Sequence, residues 1–241
     1  MATEAFGEEG QVKLLGAPES PFVLRVCIAL ALKGINYQLI PENPYNKSEL
    51  LLQSNPVHKK VPVLIHNGKP VCESMIIVQY IDEVWGTKGP NFMPKDPYDR
   101  AIARFWAAFV DDKLLPCIRG VFCGQGEALH KAAEELVTNI VLIEEALKTS
   151  SCFSGKPYFG GDEIGFLDIA LGGFLASFLK ALQKATDTVL IDPEIMPLLC
   201  AWIDRFCEYD TVKEVMPDPA KQLEILSAGR ATYLASLSPG N

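Results

Sequence analysis

Asn67-Gly68 constrains the fold of this chain more than any other pair of residues. Both central positions of a two-residue hairpin need φ > 0, and Asn followed by Gly meets that need at low steric cost. Val63-Leu64-Ile65 precedes the pair and Val71 follows it, so two short antiparallel strands are expected. Val61-Pro62 opens the first strand, where a proline is tolerated because nothing requires its missing N–H. Glu73-Ser74 leads into the apolar run Met75-Ile76-Ile77-Val78-Gln79-Tyr80-Ile81, with Ser74 the expected helix cap. Proline, strand, turn, strand and capped helix follow within about 30 residues, the scale of one supersecondary unit. Lys59-Lys60 stand before the proline, and an acid–hydroxyl pair follows the hairpin. Such edges suit a small zwitterion with a carboxylate at each end.

Upstream, Val12-Lys13-Leu14-Leu15 reads as a strand stopped by Gly16-Ala17-Pro18. Ser20-Pro21 begins a helix, Ser suiting the cap and Pro the first helical position. Phe22, Val23, Val26, Cys27, Leu30 and Ala31 recur at helical spacing until Lys33-Gly34. Tyr37-Gln38-Leu39-Ile40 is a second strand, and a polar loop over 41–48 carries Lys47. The order is β-α-β, then β-β-α, as in a thioredoxin-like α/β domain. Residues 86–97 crowd Gly and Pro and read as a linker. Beyond them every periodic segment is helical: 98–123 with a break at Pro116, 129–147, 166–182, 193–208 and 219–230. The stretch 166–182 is apolar on all sides and so is expected at the centre of its domain. The expected architecture is therefore 1–86 thioredoxin-like, 87–97 linker, and 98–241 an all-α domain.

A chain of 241 residues with 49% hydrophobic residues can bury a core. Its formal charge of −8 argues against a nucleic-acid partner, which requires a basic surface. An anionic ligand must then be attracted locally, which singles out Lys59-Lys60. The seven cysteines include no C-x-x-C pair, so reduced thiols are expected rather than a disulfide framework. The three histidines lie at no metal-ligand spacing, and no metal is expected. The N-terminal residues lack the apolar stretch of a signal peptide, and no apolar run approaches the roughly 20 residues of a membrane helix. A cytoplasmic chain with no membrane partner is the expectation.

The segment from Asn55 to Ser74 resembles the glutathione site of the glutathione transferases, specifically their plant tau class. Ser20-Pro21-Phe22 with Arg25-Val26, Asn46-Lys47-Ser48, Gln79 to Trp85, Arg104-Phe105-Trp106 and Tyr158-Phe159-Gly160-Gly161-Asp162 extend that resemblance along almost the whole chain. It implies a cis Val61-Pro62 bond, with the Val61 backbone pairing the cysteinyl part of glutathione. It implies that Glu73 and Ser74 hold the γ-glutamyl end and that Lys60 and Lys47 reach the glycyl carboxylate. It also implies a homodimer that uses glutathione as co-substrate, without a separate cofactor, and conjugates it to small hydrophobic electrophiles in detoxification. The same activated thiolate would serve accessory peroxide reduction.

Ser20 is the expected catalytic residue in that resemblance. Read alone, it is an ordinary helix cap. A helix N-terminus also carries partial positive charge and unpaired N–H groups, so a hydroxyl there can donate to a nearby thiolate and lower its pKa. Relatives that act as thiol reductases carry Cys where this chain has Ser20, which disfavours that chemistry. Cys27, two turns into the helix, is expected to face the core. Gly165-Phe166-Leu167-Asp168 stands where the family carries its capping box, with Gly at the cap, so Asp168 is read as structural. The expected electrophile pocket, an apolar cleft between the halves, draws on Leu115, Arg119, Phe122, Ser177, Leu223 and Leu226. Tau relatives often carry a large aromatic where this chain has Ser177, which implies a roomier or more polar pocket. Glu19 is a further departure, and it would oppose thiol ionisation. The alternative is a weakly catalytic carrier of hydrophobic ligands with the same fold.

Overall fold

The computed structural model describes residues 10–44 and 46–237. The absence of a signal peptide rests partly on residues 1–9, which lie outside that range. The chain divides into two compact units, one ending at Asn91 and the other beginning at Phe92.

The first unit holds β1 (Val12–Gly16), α1 (Pro21–Leu32), β2 (Gln38–Pro41), α2 (Glu49–Ser54), β3 (Val63–His66), β4 (Lys69–Cys72) and α3 (Ser74–Val84). The strands form one sheet in the order β2-β1-β3-β4, with β1–β2 parallel and the other two pairings antiparallel. His66 pairs with Lys69, so Asn67-Gly68 is the hairpin turn, with φ of 50° and 79°. Leu15, Val63 and Ile65 share one face and pack with Leu51 of α2. Leu14 and Leu64 point the other way and are fully buried. At the C-terminal cap of α1, the Lys33 ammonium is buried. It reaches Asp82 of α3 at 2.9 Å and donates to the Pro90 carbonyl at 2.7 Å.

Two details of this unit differ from expectation. The segment Glu49–Ser54 forms α2, which no periodic stripe announces; Ser48 starts it by accepting from the Leu51 N–H at 3.0 Å. Ser74 is the first residue of α3 rather than its cap. Glu73 takes the cap position at φ 71° and ψ 117°.

The second unit is helical: α4 (Pro97–Phe109), α5 (Leu115–Cys123), α6 (Gly126–Thr149), α7 (Phe166–Gly172), α8 (Leu179–Thr186), α9 (Pro197–Glu208), α10 (Asp210–Val215) and α11 (Pro219–Leu237). The break expected at Pro116 falls just ahead of it, as a π-helical turn over Val110–Leu114 in which the Leu115 N–H donates to the Val110 carbonyl. Pro116 has no N–H for the Asp112 carbonyl, and the wider turn absorbs that loss. A second π-turn, Gly173–Phe178, joins α7 to α8. The continuous helix Phe166–Thr186 contains an 18-residue window of mean hydropathy 1.4 and is long and apolar enough, by length and composition, to cross a membrane, although Asp168, Lys180 and Lys184 interrupt it. Its most apolar window is 78% buried inside this unit, as the expected core position requires.

Asp168 is the polar centre of this core and is fully buried. Its carboxylate accepts from the Phe159, Gly160 and Gly165 N–H groups at 3.0, 2.8 and 2.8 Å, and from the Trp202 indole at 2.6 Å. Only the acidic half of a capping box exists here, because Gly165 has no side chain to return the bond. The Glu144 carboxylate, also fully buried, accepts from Leu198 and Leu199 N–H at 3.2 and 2.7 Å. That contact starts α9 at Pro197 rather than at Pro193.

Candidate functional site

Strand register gathers four segments at one end of the sheet. Gly16 pairs with Pro41, Leu15 with Val63, and Val63 with Cys72. The chain leaves β1 toward 17–20 and β2 toward 42–48 at that end. It enters β3 from 60–62 and leaves β4 into 73–74 there as well. Every residue expected to hold glutathione lies on these segments: Ser20, Lys47, Lys60, Val61, Glu73 and Ser74.

Ser20 occupies the N-cap position of α1, yet its hydroxyl accepts no first-turn N–H. Its backbone is fixed regardless: Ser20 N–H donates to Ala17 O at 3.0 Å, and Ser20 O accepts from Leu24 N–H at 2.9 Å. The cap of α3 likewise makes no side-chain bond. Two helix starts therefore bring their dipoles to the same end of the sheet, where anions are stabilised.

Ser74 is buried and accepts from the Arg25 guanidinium at 3.1 Å. Arg25 sits on α1, is fully buried, and lies 5.7 Å from the Phe22 ring centroid. The start of α3 is thus tied to the helix that carries Ser20. Sequence reasoning quoted Arg25 but gave it no role; its signal was an arginine set between Leu24 and Val26 in a buried stripe.

The Val61-Pro62 bond is cis. The Val61 side chain packs against the Leu15, Leu51, Val63 and Ile65 cluster, so its backbone is the part left to face the sheet end. Asn55 is buried and braces the approach. It donates to the Lys60 carbonyl at 2.9 Å and accepts from the His58 N–H at 3.0 Å. Glu42 braces the other loop, its carboxylate accepting from both the N–H and the hydroxyl of Ser48. Neither role was visible in sequence, because each partner is set by the loop's path. Lys47 and Lys60 are exposed. Glu73 is half-exposed, with His58 Nε2 3.8 Å from its carboxylate. Its positive φ is uncommon for a residue with a side chain, and such geometry clusters at functional sites.

Cys27 is buried in the core of this unit; burial pushes its thiol up, against a hydrogen bond from Tyr37 that pulls it down. The Cys72 thiol is also pushed up, first by burial and then by Glu73. Neither has the low pKa of a nucleophilic cysteine.

In the second unit, Leu115, Phe122 and Leu223 are half-buried, Arg119 is exposed and Leu226 is buried. Phe122 meets Tyr233 of α11 with ring centroids 6.3 Å apart. Arg230 donates to the Gly124 carbonyl at 2.6 Å, pinning α11 to the end of α5. Ser177 lies apart from these, in the second π-turn, and lines a cavity with residues of α8 and of the segment before α11.

The family model described as glutathione S-transferase, N-terminal domain, matches residues 10–83, and the C-terminal domain model matches 98–210. Glutathione S-transferase U16 of Arabidopsis thaliana is 49% identical over 222 residues, covering 91% of this chain and 94% of the relative. The probable glutathione S-transferase GSTU6 of Oryza sativa subsp. japonica is 49% identical, covering 89% and 92%.

This chain belongs to the glutathione S-transferase family.

Its class is tau. The crystal structure of a tau class glutathione S-transferase from mango matches with a TM-score of 0.83 at 48% identity, covering 93% of this chain and 98% of that one. A rice glutathione transferase solved in complex with glutathione matches with a TM-score of 0.85 at 35% identity, covering 94% and 99%. In this transferase the end of the sheet offers two uncapped helix starts, one cis-proline turn and two exposed lysines.

Proposed function

We propose that this tau-class transferase binds glutathione at the sheet end of its first unit, activates the thiol through Ser20, and transfers the sulfur to small hydrophobic electrophiles. The observation that carries the reading is the Ser20 hydroxyl, held at the start of α1 and not consumed as a cap. The hydroxyl and the first-turn N–H groups donate to the sulfur anion, so the thiol proton is lost to solvent at lower pH. Each unit of pKa lowering is worth about 1.4 kcal/mol of thiolate stabilisation. The sulfur lone pair then forms the bond to the electrophilic carbon and the leaving group departs with its electrons. Ser20 itself forms no covalent bond.

The γ-glutamyl carboxylate is assigned to Ser74 and the first turn of α3, its amine to Glu73, and the glycyl carboxylate to Lys47 and Lys60. The Val61 backbone pairs the cysteinyl peptide. Leu115, Arg119, Phe122, Ser177, Leu223 and Leu226 remain the proposed electrophile residues. In this reading, residues before 87 hold glutathione and those after 97 hold the electrophile. A homodimer is part of the reading: Val57 and Ile76 of the first unit are 80% and 56% exposed, and Phe105 of the second 59%. A cytoplasmic location rests on the seven cysteines, all free thiols.

The test is the initial rate of glutathione conjugation to chlorodinitrobenzene by the native chain and by Ser20→Ala. Losing a positioned donor to a developing anion costs about two to three orders of magnitude. A native rate untouched by the substitution would assign sulfur activation to another group.

A further inference from the structure

Lys47 is exposed, so packing does not fix where its ammonium stands. A lysine side chain also loses much rotamer freedom when it is held in one place. Its reach is therefore set by the backbone on either side of it. On one side, the Asn46 N–H donates to the Asn43 carbonyl at 3.2 Å. On the other stands Ser48, and Ser48 is tied to Glu42.

Glu42 is 8% exposed, although its described neighbours in the loop are exposed. Its N–H donates to the Gly16 carbonyl at 3.2 Å, which fastens it to the end of β1 where the chain turns toward Ser20. Its carboxylate accepts from the Ser48 N–H at 3.2 Å and from the Ser48 hydroxyl. The Ser48 hydroxyl oxygen accepts in turn from the Leu51 N–H at 3.0 Å and starts α2. On charge alone, a carboxylate is out of place on a loop proposed to receive an anion. The two donors from Ser48 account for it: a carboxylate accepts both, and such charge-assisted bonds are about twice as strong as neutral ones. Together they fix the residue that follows Lys47.

We propose that Glu42 is a positioning residue for glutathione binding and sets the preference for thiols that carry the glycyl carboxylate. It holds Ser48 against the end of β1 and so presents Lys47 already placed, which reduces the ordering cost of binding. The inference rests on the assignment of the glycyl carboxylate to Lys47. Glu42 acts through that lysine and not by touching the tripeptide.

The test compares glutathione with γ-glutamylcysteine, which lacks the glycyl residue, in conjugation to chlorodinitrobenzene. KM and kcat are measured for the native chain, Glu42→Ala, Glu42→Gln, Lys47→Ala and Glu42→Ala/Lys47→Ala. Glu42→Ala is expected to raise KM for glutathione about threefold, the weight of one exposed charge contact, with kcat falling much less. Its KM for γ-glutamylcysteine stays near native. The double variant matches Lys47→Ala, because a contact already lost cannot be lost again. Glu42→Gln recovers most of the native KM, since its amide offers an acceptor to the Ser48 N–H and a donor to the hydroxyl oxygen. Equal rises in KM for both thiols, or a Glu42→Ala chain inactive with both, would make Glu42 a brace of the fold and overturn the proposal. A double variant whose KM rises by the product of the two single effects would overturn it too, as would Glu42→Gln behaving like Glu42→Ala. A Lys47→Ala chain with native KM for glutathione would sink the carboxylate assignment and this inference with it. An effect of Lys47→Ala without one of Glu42→Ala would sink this inference alone.

Discussion

Ser74 and Asp168 show how a single polar atom carries different consequences in the two units. Ser74 Oγ accepts from the buried Arg25 and stands where the γ-glutamyl carboxylate is proposed to bind. Replacing it with Ala removes an acceptor from a buried guanidinium, at a cost of about 1–3 kcal/mol in stability. Its effect on turnover is expected to separate: KM for glutathione rises about tenfold, the weight of one hydrogen bond to a charged group, and kcat falls much less. Steady-state kinetics at varied glutathione check this, and a fall in kcat at constant KM would take Ser74 out of binding. Asp168 is fully buried in the core of the second unit. Burial pushes its carboxyl up to about 6, against four hydrogen-bond donors that pull it down. Its folded pKa thus lies above the unfolded value. The folded state then holds the proton where the unfolded chain has released it, so this group favours folding most at low pH. The contribution is lost as pH rises from about 4 through about 6, by about 3 kcal/mol at most. Urea unfolding across that window, compared with Asp168→Asn, is expected to show the native protein's advantage shrinking with rising pH. An advantage that grows instead would mean that the donors outweigh burial.

At the scale of elements, Gly172 governs how α7 meets α9. A Cβ at this position would stand 2.1 Å from the Phe206 ring, which is fully buried beside Trp202 with centroids 5.2 Å apart. The ring has no room to swing aside, so Gly172→Ala forces the helices apart. Overpacking of this kind costs about 1–3 kcal/mol. The expected fall in thermal midpoint is about 2–12 °C, measured by circular dichroism, and an unchanged midpoint would show that the helices can separate freely. Long periodic elements were legible in sequence for a related reason: their stripes record burial. The hairpin was legible because Asn67-Gly68 carries its own dihedral requirement. The helices Glu49–Ser54 and Asp210–Val215 were not, being too short for a stripe to recur. The π-turns and the start of α9 depend on partners far along the chain, as Glu144 does for Leu198 and Leu199. The same holds at the candidate site. Its segments could be named from local motifs, but Arg25, Asn55 and Glu42 acquire their tasks only when the fold brings their partners near. The cap moved from Ser74 to Glu73 because β4 runs into the helix without a spare residue.

The whole molecule must bring an anionic tripeptide to an anionic surface. The formal charge of −8 repels glutathione at long range, while the proposed contacts of Lys47 and Lys60 attract it at short range. Salt separates the two effects, because the Debye length falls from about 30 Å at 0.01 M to about 10 Å at 0.1 M. Over that interval the distant carboxylates are screened, whereas a lysine in contact with a carboxylate is screened far less. For the native protein the two changes oppose each other, and KM for glutathione is expected to vary less than about twofold. A Lys47→Ala/Lys60→Ala variant loses most of the attraction and keeps all of the repulsion. Its KM is expected to stand about tenfold above native in low salt, two exposed charge contacts of up to about 0.7 kcal/mol each. It should then improve as salt is added, the reverse of what a basic binding surface would show. Initial rates at varied glutathione and ionic strength measure this directly. A KM that rises with salt in the variant would mean that cations other than these lysines draw glutathione in.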